Sequence, residues 1–569
     1  MRKINRPHAV VAILVFGLAC SKGGGSNSDD GGAVTSGGGG STGGAGAMTS
    51  GSGGMSGGSD GSQPGSTGGN GGGATGGTSG GSGGMAGTVP EGNSVLQRNH
   101  HATRDGHYVQ STLTKATATK MAMDPTFNAT FAGRFFASPL YVEDGPNHKG
   151  VFIVGSTSND VVALDETTGA MVWTKNIGTV ATASGVGCGN VNPRGIVGTP
   201  VIDLDARTIY AVGAMGPGAT THYEAHALSI DDGSEKAGWP AIIDGKIMSS
   251  EGGLAFDPHP ENQRGALSLV NGILYVPFGG HDGDCGGYHG WVVAVDTKNP
   301  AMVAGWATKG AGGAIWASGG MASDGTGVFA TTGNGYGAGG ANLDSEAVVR
   351  IRGMASLTRG NADIFYPTAW KAIDGGDDDM GATSPVVFDL PGATPMKMVA
   401  SAAKQGHVYF MKADMMGGMG GNVAEHVAAT ATHSLRTALT SYKTATGTFV
   451  ALTVDRNASC AGDRVLMSIK VNPGPPVTTA TAWCLPIGGL EDTACGRSSA
   501  PMITTTDGMS DAIVWIMSGA NLVGVDGDTG AMITSVGTCG PPHHWTAPIA
   551  VKGRIIVGVD GRLCSWSVH

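Results

Sequence analysis

Charged and aromatic residues are scarce in this sequence. Of its 569 residues, 14% are charged and 6% are aromatic, and the formal net charge is −10. No stripe of lysine and arginine runs through it, and nucleic-acid binding would need such clustering. The apolar segment at residues 9–18 is too short to span a bilayer, and no amphipathic helix pattern of normal length stands out. We therefore expect no nucleic-acid partner and a large β domain with small loops.

The first 20 residues have the layout of a bacterial export signal. Basic residues precede the apolar segment at residues 9–18, and Cys20 follows it. Cys20 is where a bacterial lipoprotein would be cleaved and acylated, although Gly17 stands where leucine is usual. We expect export and a lipid anchor at Cys20 in the outer membrane of the cell envelope, with the periplasmic or surface side undecided. Ordinary cleavage near Ala19 is the alternative.

Glycine is concentrated in one segment. Residues 21–89 are almost only glycine, serine, threonine and alanine, without periodicity, so we expect them to be disordered. A flexible chain of that length has an end-to-end distance of roughly 45–50 Å. The predicted organisation is a signal peptide at residues 1–20, a low-complexity tether at 21–89 and a folded domain at 90–569.

One stretch of the folded domain, residues 163–173, combines a strand, a tight turn and the start of a second strand. Asp165 can accept hydrogen bonds from backbone amides two residues on, and Gly169 can take the positive φ of such a turn. The apolar pattern then restarts and ends on Trp173. A lone hairpin cannot bury that indole, so the motif implies neighbouring units.

Imperfect copies of this unit recur along the chain. Asp526 opens a second Asp-x-x-Thr-Gly turn, and two looser copies lead from Asp296 to Trp306 and from Asp231 to Trp239. Recurrence at intervals of roughly one blade is typical of radial repeat folds. A common hairpin turn is the alternative for any single copy, but it does not account for four copies in similar strand contexts.

With these residues the chain resembles the quinoprotein-type β-propellers. The blade motif of that family, A-x-D-x-x-T-G-x-x-x-W, is matched at every fixed position by Ala163, Asp165, Thr168, Gly169 and Trp173. The resemblance extends over residues 95–569. The family includes pyrroloquinoline-quinone alcohol dehydrogenases and non-enzymatic relatives such as the lipoprotein propeller of the outer-membrane β-barrel assembly machine, so the resemblance implies the fold more than an activity.

The short apolar runs after about residue 93 group into blades, and the last group stops one strand short at His569. A propeller must close its ring to leave no unpaired edge, and we expect the missing strand from residues 107–113. The prediction is an all-β, eight-bladed propeller of four-stranded antiparallel blades, closed by N- and C-terminal strands, with seven blades as the alternative.

A small residue followed by proline opens several of these blades, which suits the first residues of a strand. The resemblance implies that strands opened in this way are the innermost and line a central channel. The prolines are Pro139, Pro200, Pro385, Pro501 and Pro548.

Seven cysteines follow Cys20, and an exported chain permits disulfides. Cys460 and Cys484 flank one predicted blade, and Cys188 and Cys285 lie in long glycine-rich loops, so each pair could form a disulfide. The other three cysteines cannot all pair among themselves, so an odd thiol remains and the connectivity stays open.

The densest polar cluster lies at residues 281–291. It could form a metal or ligand site at the channel mouth, since histidine suits transition metals and aspartate suits calcium. The candidate ligands are His281, Asp282, Asp284, His289, His543 and His544. The alternative is a long exposed loop held by a Cys285 disulfide, and it is favoured because the spacing fits no known ligand motif.

Two arginines and one acidic run complete the candidates. Arg194 and Arg264 precede predicted inner strands, and an arginine there could bind a carboxylate or a quinone. A structural ion pair is the alternative. The acidic run at residues 374–379 could collect a cation, but we read it as a solvated loop.

The resemblance also supplies a test of activity. Quinone-dependent alcohol dehydrogenases of the family typically carry two adjacent cysteines that stack on the cofactor, and relatives often carry a Cys-x-x-Cys-His haem site. Neither pattern occurs here. We therefore expect a tethered, monomeric propeller that binds a protein, peptide or polysaccharide. The alternatives are an alcohol or sugar oxidoreductase using pyrroloquinoline quinone and calcium, and a metal-dependent enzyme built on residues 281–289.

Overall fold

The protein is described from a computed structural model. The structure describes residues 92–568 except 183–185, 337–339, 355–356, 430–431, 458–459, 489–498, 538 and 544. The predicted signal peptide with Cys20, the predicted tether, Cys495 and His544 lie outside the described residues. Within the described ranges, no helix combines the length and apolarity needed to cross a membrane.

Eight four-stranded antiparallel blades make up an eight-bladed β-propeller, which confirms the predicted fold. From the innermost strand outward, blade 1 consists of Leu140–Val142, Val151–Gly155, Asp160–Asp165 and Met171–Asn176; blade 2 of Val201–Asp203, Thr208–Met215, His222–Ser229 and Ala241–Ile243; blade 3 of Ser268–Val270, Ile273–Gly280, Trp291–Asp296 and Val303–Ala307; and blade 4 of Ala322–Ser323, Val328–Thr332, Ala347–Ile351 and Ile364–Tyr366.

The second half of the ring repeats this order. Blade 5 consists of Val386–Asp389, Lys397–Ala402, His407–Lys412 and Ala424–Val427; blade 6 of Thr440–Thr444, Gly447–Asp455, Arg464–Asn472 and Thr478–Gly488; blade 7 of Met502–Thr505, Ile513–Ser518, Asn521–Asp526 and Met532–Gly537; and blade 8 of Ile549–Val551, Arg554–Val559, Arg562–Val568 and Met121–Met123.

Short elements fill the connections between these strands. The α-helices are Lys115–Ala118 and Trp370–Gly375, and the 3-10 turns are Pro146–His148, Gly218–Thr220, Asn361–Asp363 and Met380–Ala382. The additional strands are His107–Val109, Ala129–Thr130, Glu261–Asn262, Ala311–Gly312, Gly335–Tyr336 and Gly418–Met419.

Both ends of the propeller domain contribute to blade 8, as predicted, but the donor segment was predicted wrongly. Met121–Met123 pairs antiparallel with Arg562–Val568 and completes the blade. His107–Val109, which lies in the predicted donor segment, pairs in parallel with Met502–Thr505 of blade 7. The chain is still at the central channel at that point, and it needs the residues that follow to reach the outer edge of blade 8.

Residues 95–110, here called the belt, run around the inside of the channel and bond to each blade in turn. Val95 pairs with the backbone of Tyr141 in blade 1, and the carbonyl of Gly106 accepts from Ile503 N in blade 7 at 2.8 Å. The partners from blade 1 to blade 8 are Tyr141, Ile202, Leu267, Ser323, Val387, Ser441, Ile503 and Gly553. The belt therefore covers the inner strand edges, whose backbone groups would otherwise lack partners.

The blade motif behaves as its residues predict. Asp165 Oδ1 accepts hydrogen bonds from Thr167 N and Thr168 N at 3.0 and 2.8 Å, and Gly169 has a φ of +74°. Trp173 Nε1 donates to the carbonyl of Ile230 in blade 2 at 3.0 Å. The motif thus joins one blade to the next, and Ala163 is buried in the core between them.

Three disulfides connect the described cysteines. The expected pairs Cys188–Cys285 and Cys460–Cys484 are formed, with Cα separations of 6.0 and 6.1 Å. A third joins Cys539 to Cys564, a pairing that the sequence left open.

Candidate functional site

The end of the channel at which the inner strands begin, here called the mouth, gathers polar and aromatic side chains. Arg264, Trp316, Asp379 and Trp545 each lie shortly before the inner strand of a different blade. All inner strands of a propeller start at the same end of the channel, so residues nearly 300 positions apart in sequence meet there. They belong to blades 3, 4, 5 and 8.

Arg264 lies between two indole rings. Its guanidinium carbon is 5.1 Å from the ring centre of Trp316 and 4.9 Å from that of Trp545, within the range of cation–π attraction. Burial lowers the pKa of Arg264, and the charges of Asp282, Asp284 and other groups oppose that shift. The loop predicted as a ligand site therefore lies at the mouth, close enough to act on Arg264.

Asp379 is the central carboxylate of the mouth and is almost fully buried. Trp316 Nε1 donates to its Oδ2 at 2.9 Å, and Lys404 Nζ lies 2.9 Å from its Oδ1. Burial raises the pKa of Asp379, while Lys404 opposes the rise. Burial acts against the charged form of Lys404, but Asp379 and Asp377 outweigh it and raise the pKa of the amine.

An amide and a second carboxyl group extend this cluster. Asn334 Nδ2 donates to Asp377 Oδ1 at 2.7 Å, whereas the buried Asn334 Oδ1 accepts no hydrogen bond from the described residues. Glu346 Oε2 accepts from Met380 N at 2.9 Å, and burial raises the pKa of Glu346 well above its usual value. Glu346 and the unsatisfied Asn334 Oδ1 therefore lie beside the network of Asp377, Asp379 and Lys404.

The glycine at position 333 allows the backbone to approach this network. A Cβ atom there would collide with Asp379 Oδ2. Gly381 has a similar role, because its Cβ would stand 2.8 Å from Trp316 Nε1. Both positions are therefore shaped around the Trp316–Asp379 pair.

Arg194 is buried and lies beside His281. Its Nη1 is 2.6 Å from His281 Nε2, and the same nitrogen lies 3.1 Å from the carbonyl of His259. Burial, followed by the charge of Arg194, lowers the pKa of His281 to about 3. His281 is therefore neutral at physiological pH.

The other predicted metal ligands have separate partners. His289 Nδ1 is 3.0 Å from the carbonyl of Thr308, and His543 Nε2 is 3.2 Å from Asp560 Oδ1. Across the described ranges, no three His, Cys, Asp or Glu side chains are grouped to hold a metal ion. The metal site at residues 281–289 with His543 and His544 stays a prediction.

An aromatic wall borders the mouth on the side of blades 8 and 1. Phe136 lies 4.2 Å from the ring of His543 and 5.2 Å from that of Trp545. Val197 completes the buried cluster. The mouth therefore offers an apolar side next to the charged network.

Most residues of this site could not be predicted from the sequence. Arg264 was a candidate for binding a carboxylate or a quinone, but Trp316, Asn334 and Lys404 carried no recognised motif. Asp379 was read as part of a solvated acidic loop, and the structure corrects that interpretation because its carboxylate is buried. Their position in the sequence could have indicated the site, since Trp316 and Asp379 both lie just before predicted inner strands.

The comparisons with known proteins find structural rather than sequence likeness. No protein-family model matches the sequence, and no curated protein matches it. The quinohemoprotein alcohol dehydrogenase of Comamonas testosteroni has a TM-score of 0.57 and 14% identity, with 84% of this chain and 80% of that one covered. The corresponding enzyme ADHIIG of Pseudomonas putida HK5 has a TM-score of 0.59 and 13% identity, with the same coverage.

A europium-containing methanol dehydrogenase has a TM-score of 0.54 and 14% identity, with 82% of this chain and 90% of that one covered. The chain shares the fold of these dehydrogenases. At such low identity the likeness establishes the dehydrogenase propeller fold alone, so any activity must be argued from the residues of the mouth.

Proposed function

We propose that the mouth binds pyrroloquinoline quinone together with calcium, and that the protein is a quinoprotein-type oxidoreductase of the alcohol or sugar dehydrogenase class. The observation that carries the proposal is the buried Asp379, hydrogen-bonded to the Trp316 indole and flanked by Lys404. The structures with the same fold are named as alcohol and methanol dehydrogenases, which adds support.

The residues of the mouth fit both groups. Calcium prefers carboxylate and amide oxygens, and Asp379 together with the unsatisfied Asn334 Oδ1 supplies them. A planar, acidic quinone suits an aromatic face with cations beside it, which Trp316, Arg264 and Lys404 provide.

Asp379 is the residue best placed to take a proton. Its raised pKa brings it closer to neutral pH, where a general base works best. Lys404 opposes this rise of the pKa, and the Trp316 hydrogen bond fixes the orientation of its carboxylate. When bound, the quinone would accept the two electrons and two protons that an alcohol loses in becoming a carbonyl compound.

A second candidate is the tethered binding propeller predicted from the sequence. Arg264 already lies over the Trp316 ring and between two indoles, an arrangement that binds a carboxylate without any redox chemistry. A protein, peptide or polysaccharide with acidic groups would suit it. This candidate shares the mouth with the first but requires no cofactor.

The test is to add calcium and pyrroloquinoline quinone to the purified protein. We expect a shift in the quinone absorption spectrum and dye-linked oxidation of alcohols or sugars. Trp316→Ala should abolish the spectral shift, and Trp173→Ala, which removes an indole far from the mouth, should leave it unchanged. A spectral shift without oxidation would show that the mouth binds the quinone but does not oxidise these substrates, and the absence of any shift would overturn the quinone proposal and leave the binding propeller.

A further inference from the structure

Two arginines of the belt are buried inside the channel. Arg98 and Arg104 are each only 1% exposed. Arg104 donates to the carbonyls of Met321, Leu267 and Arg98. In the part of the chain that the structure describes, no carboxylate forms an ion pair with either guanidinium. Among the described residues, these two positive charges in the channel therefore have no negative partner.

The guanidinium of Arg98 reaches across the channel just below the mouth. Its Nη1 donates to Ser138 Oγ of blade 1 at 3.0 Å, and its Nη2 lies 3.4 Å from Ser318 Oγ, next to blade 4. These blades stand well apart around the ring, so the guanidinium lies near the channel axis. Its buried Nε has no acceptor among the described residues.

Hydroxyl groups with unused hydrogens surround this guanidinium. Ser138 Oγ accepts from Arg98 and from Ala547 N at 2.9 Å, and it has no acceptor for its own hydrogen among the described residues. Ser384 Oγ is buried without any described partner, and it touches Gly319, the neighbour of Ser318. Ser138 and Ser318 thus contact the guanidinium, and Ser384 lies beside the neighbour of Ser318 with its hydroxyl hydrogen unused by the described residues.

Electrostatics requires a counter-charge here. Burial lowers the pKa of Arg98 to about 9, and burial together with Arg98 does the same for Arg104. Both remain protonated at neutral pH. A buried cation without a negative partner is strongly unfavourable, and donors without acceptors add to that cost.

We propose that the channel holds a small monovalent anion, bound by the guanidinium of Arg98 and the hydroxyls of Ser138, Ser318 and Ser384. Ser318 is only partly buried, so the site opens toward the mouth. Its ligand chemistry is that of chloride or of a single carboxylate group. The charge could come from a free halide or from the carboxylate of a molecule seated in the mouth. This site does not depend on the proposed quinone.

The first experiment measures the thermal unfolding of the full chain, because an anion that binds only the folded state raises Tm. Sodium chloride or sodium formate would replace sodium isethionate at constant ionic strength, since isethionate is too large for the site. A saturating rise with chloride identifies a free halide, and a rise with formate alone identifies the carboxylate of a mouth ligand. If neither salt raises Tm above its value in isethionate, the proposal is wrong.

Variants assign the effect to this site. Ser384→Ala should weaken the binding of the anion by about tenfold, the usual effect of one lost hydrogen bond. Ser565→Ala is the matched control, because Ser565 Oγ is also buried without a described partner but lies in blade 8. Arg98→Met should lose the response altogether, and if that variant does not fold, Ser384→Ala carries the test. An equal response in the two serine variants would overturn the assignment.

A crystal grown in sodium bromide gives an independent answer. We expect an anomalous scattering peak between Arg98 and Ser384 if the halide is the ligand. If no such peak appears and formate does not raise Tm either, the site is ruled out.

Discussion

The indole Nε1 of Trp316 donates a hydrogen bond to Oδ2 of Asp379 across 2.9 Å. This bond joins the start of blade 4 to the start of blade 5, so an aromatic face and a carboxylate keep a fixed relation at the channel mouth. Lys404 holds the other oxygen of the same carboxylate. Because both carboxylate oxygens are held, the group cannot rotate freely, and a ligand on the indole would meet it in one orientation.

The first prediction concerns Asp379. Asp379→Asn keeps the shape of the side chain but removes its charge and its basicity, so dye-linked oxidation should fall by about 10²–10⁴-fold. Because Asp379 is also a proposed calcium ligand, the spectral shift of the quinone is measured in the same variant at saturating calcium, and oxidation is compared where that shift is complete. Asp389→Asn, on the half-exposed pair with Lys397 in the same blade, is the control and should keep full activity. Full activity in Asp379→Asn would remove that carboxylate from the reaction.

The second prediction concerns Lys404, whose side chain is 6% exposed and contacts Asp377 and Asp379. Lys404→Met leaves two carboxylates without their cation, so we expect a loss of about 3–5 kcal/mol in the free energy of unfolding. Adding Asp379→Asn should recover part of the loss. Urea unfolding measures both variants, and Lys397→Met on the exposed pair should cost about 1 kcal/mol or less. A small loss in Lys404→Met would show that water already screens this network.

The third prediction is a loss of stability in acid that depends on His100. Burial, followed by the charge of His101, lowers the pKa of His100 in the folded protein to about 4, compared with about 6.5 in the unfolded chain. Between these values only the unfolded chain binds the proton, so stability falls as the pH drops from about 6.5 to about 4.

His100→Asn should reduce the slope of the unfolding free energy against pH in this range, by up to the contribution of one bound proton. Asparagine tolerates the φ of +69° at this position, so the backbone need not change. Urea unfolding at several pH values measures the slope. An unchanged slope in the variant would mean that His100 titrates normally in the folded protein.

The fourth prediction concerns the tryptophans that join blades. Trp483 Nε1 donates to the carbonyl of Gly527 in blade 7 at 2.7 Å, as Trp173 does to Ile230 in blade 2. Phenylalanine at either position would keep most of the apolar contact but lose the hydrogen bond, at about 1 kcal/mol. Trp483 is the more buried of the two, so Trp483→Phe should cost more. Negligible losses in thermal unfolding would show that packing alone joins the blades, and equal losses would show that burial does not set the strength of this hydrogen bond.

The parts of the fold that could be predicted from the sequence are those that local chemistry decides. Asp165, Gly169 and Trp173 specify a turn and a buried indole within eleven residues, and the eight blades follow from repetition of that unit. The burial of Asp379 and Lys404 could not be predicted in this way, because it depends on how eight inner strands converge. The misplaced closing strand has a similar cause, since His107–Val109 and Met121–Met123 are both strands of three residues that only the path of the belt distinguishes.

The last prediction concerns the belt. Its backbone and side chains bond to the inner strands of successive blades, so a chain that begins at residue 111 loses a bond to each part of the ring and the two arginines inside the channel. A chain that begins at residue 92 keeps all of them. We expect the shorter chain to unfold at a clearly lower temperature or to aggregate through its uncovered inner edges, and the longer one to match the full chain in circular dichroism melting. Equal melting of the two truncated chains would mean that the blades close without the belt. Lower melting of the chain from residue 92 than of the full chain would instead place part of the folded domain before that residue.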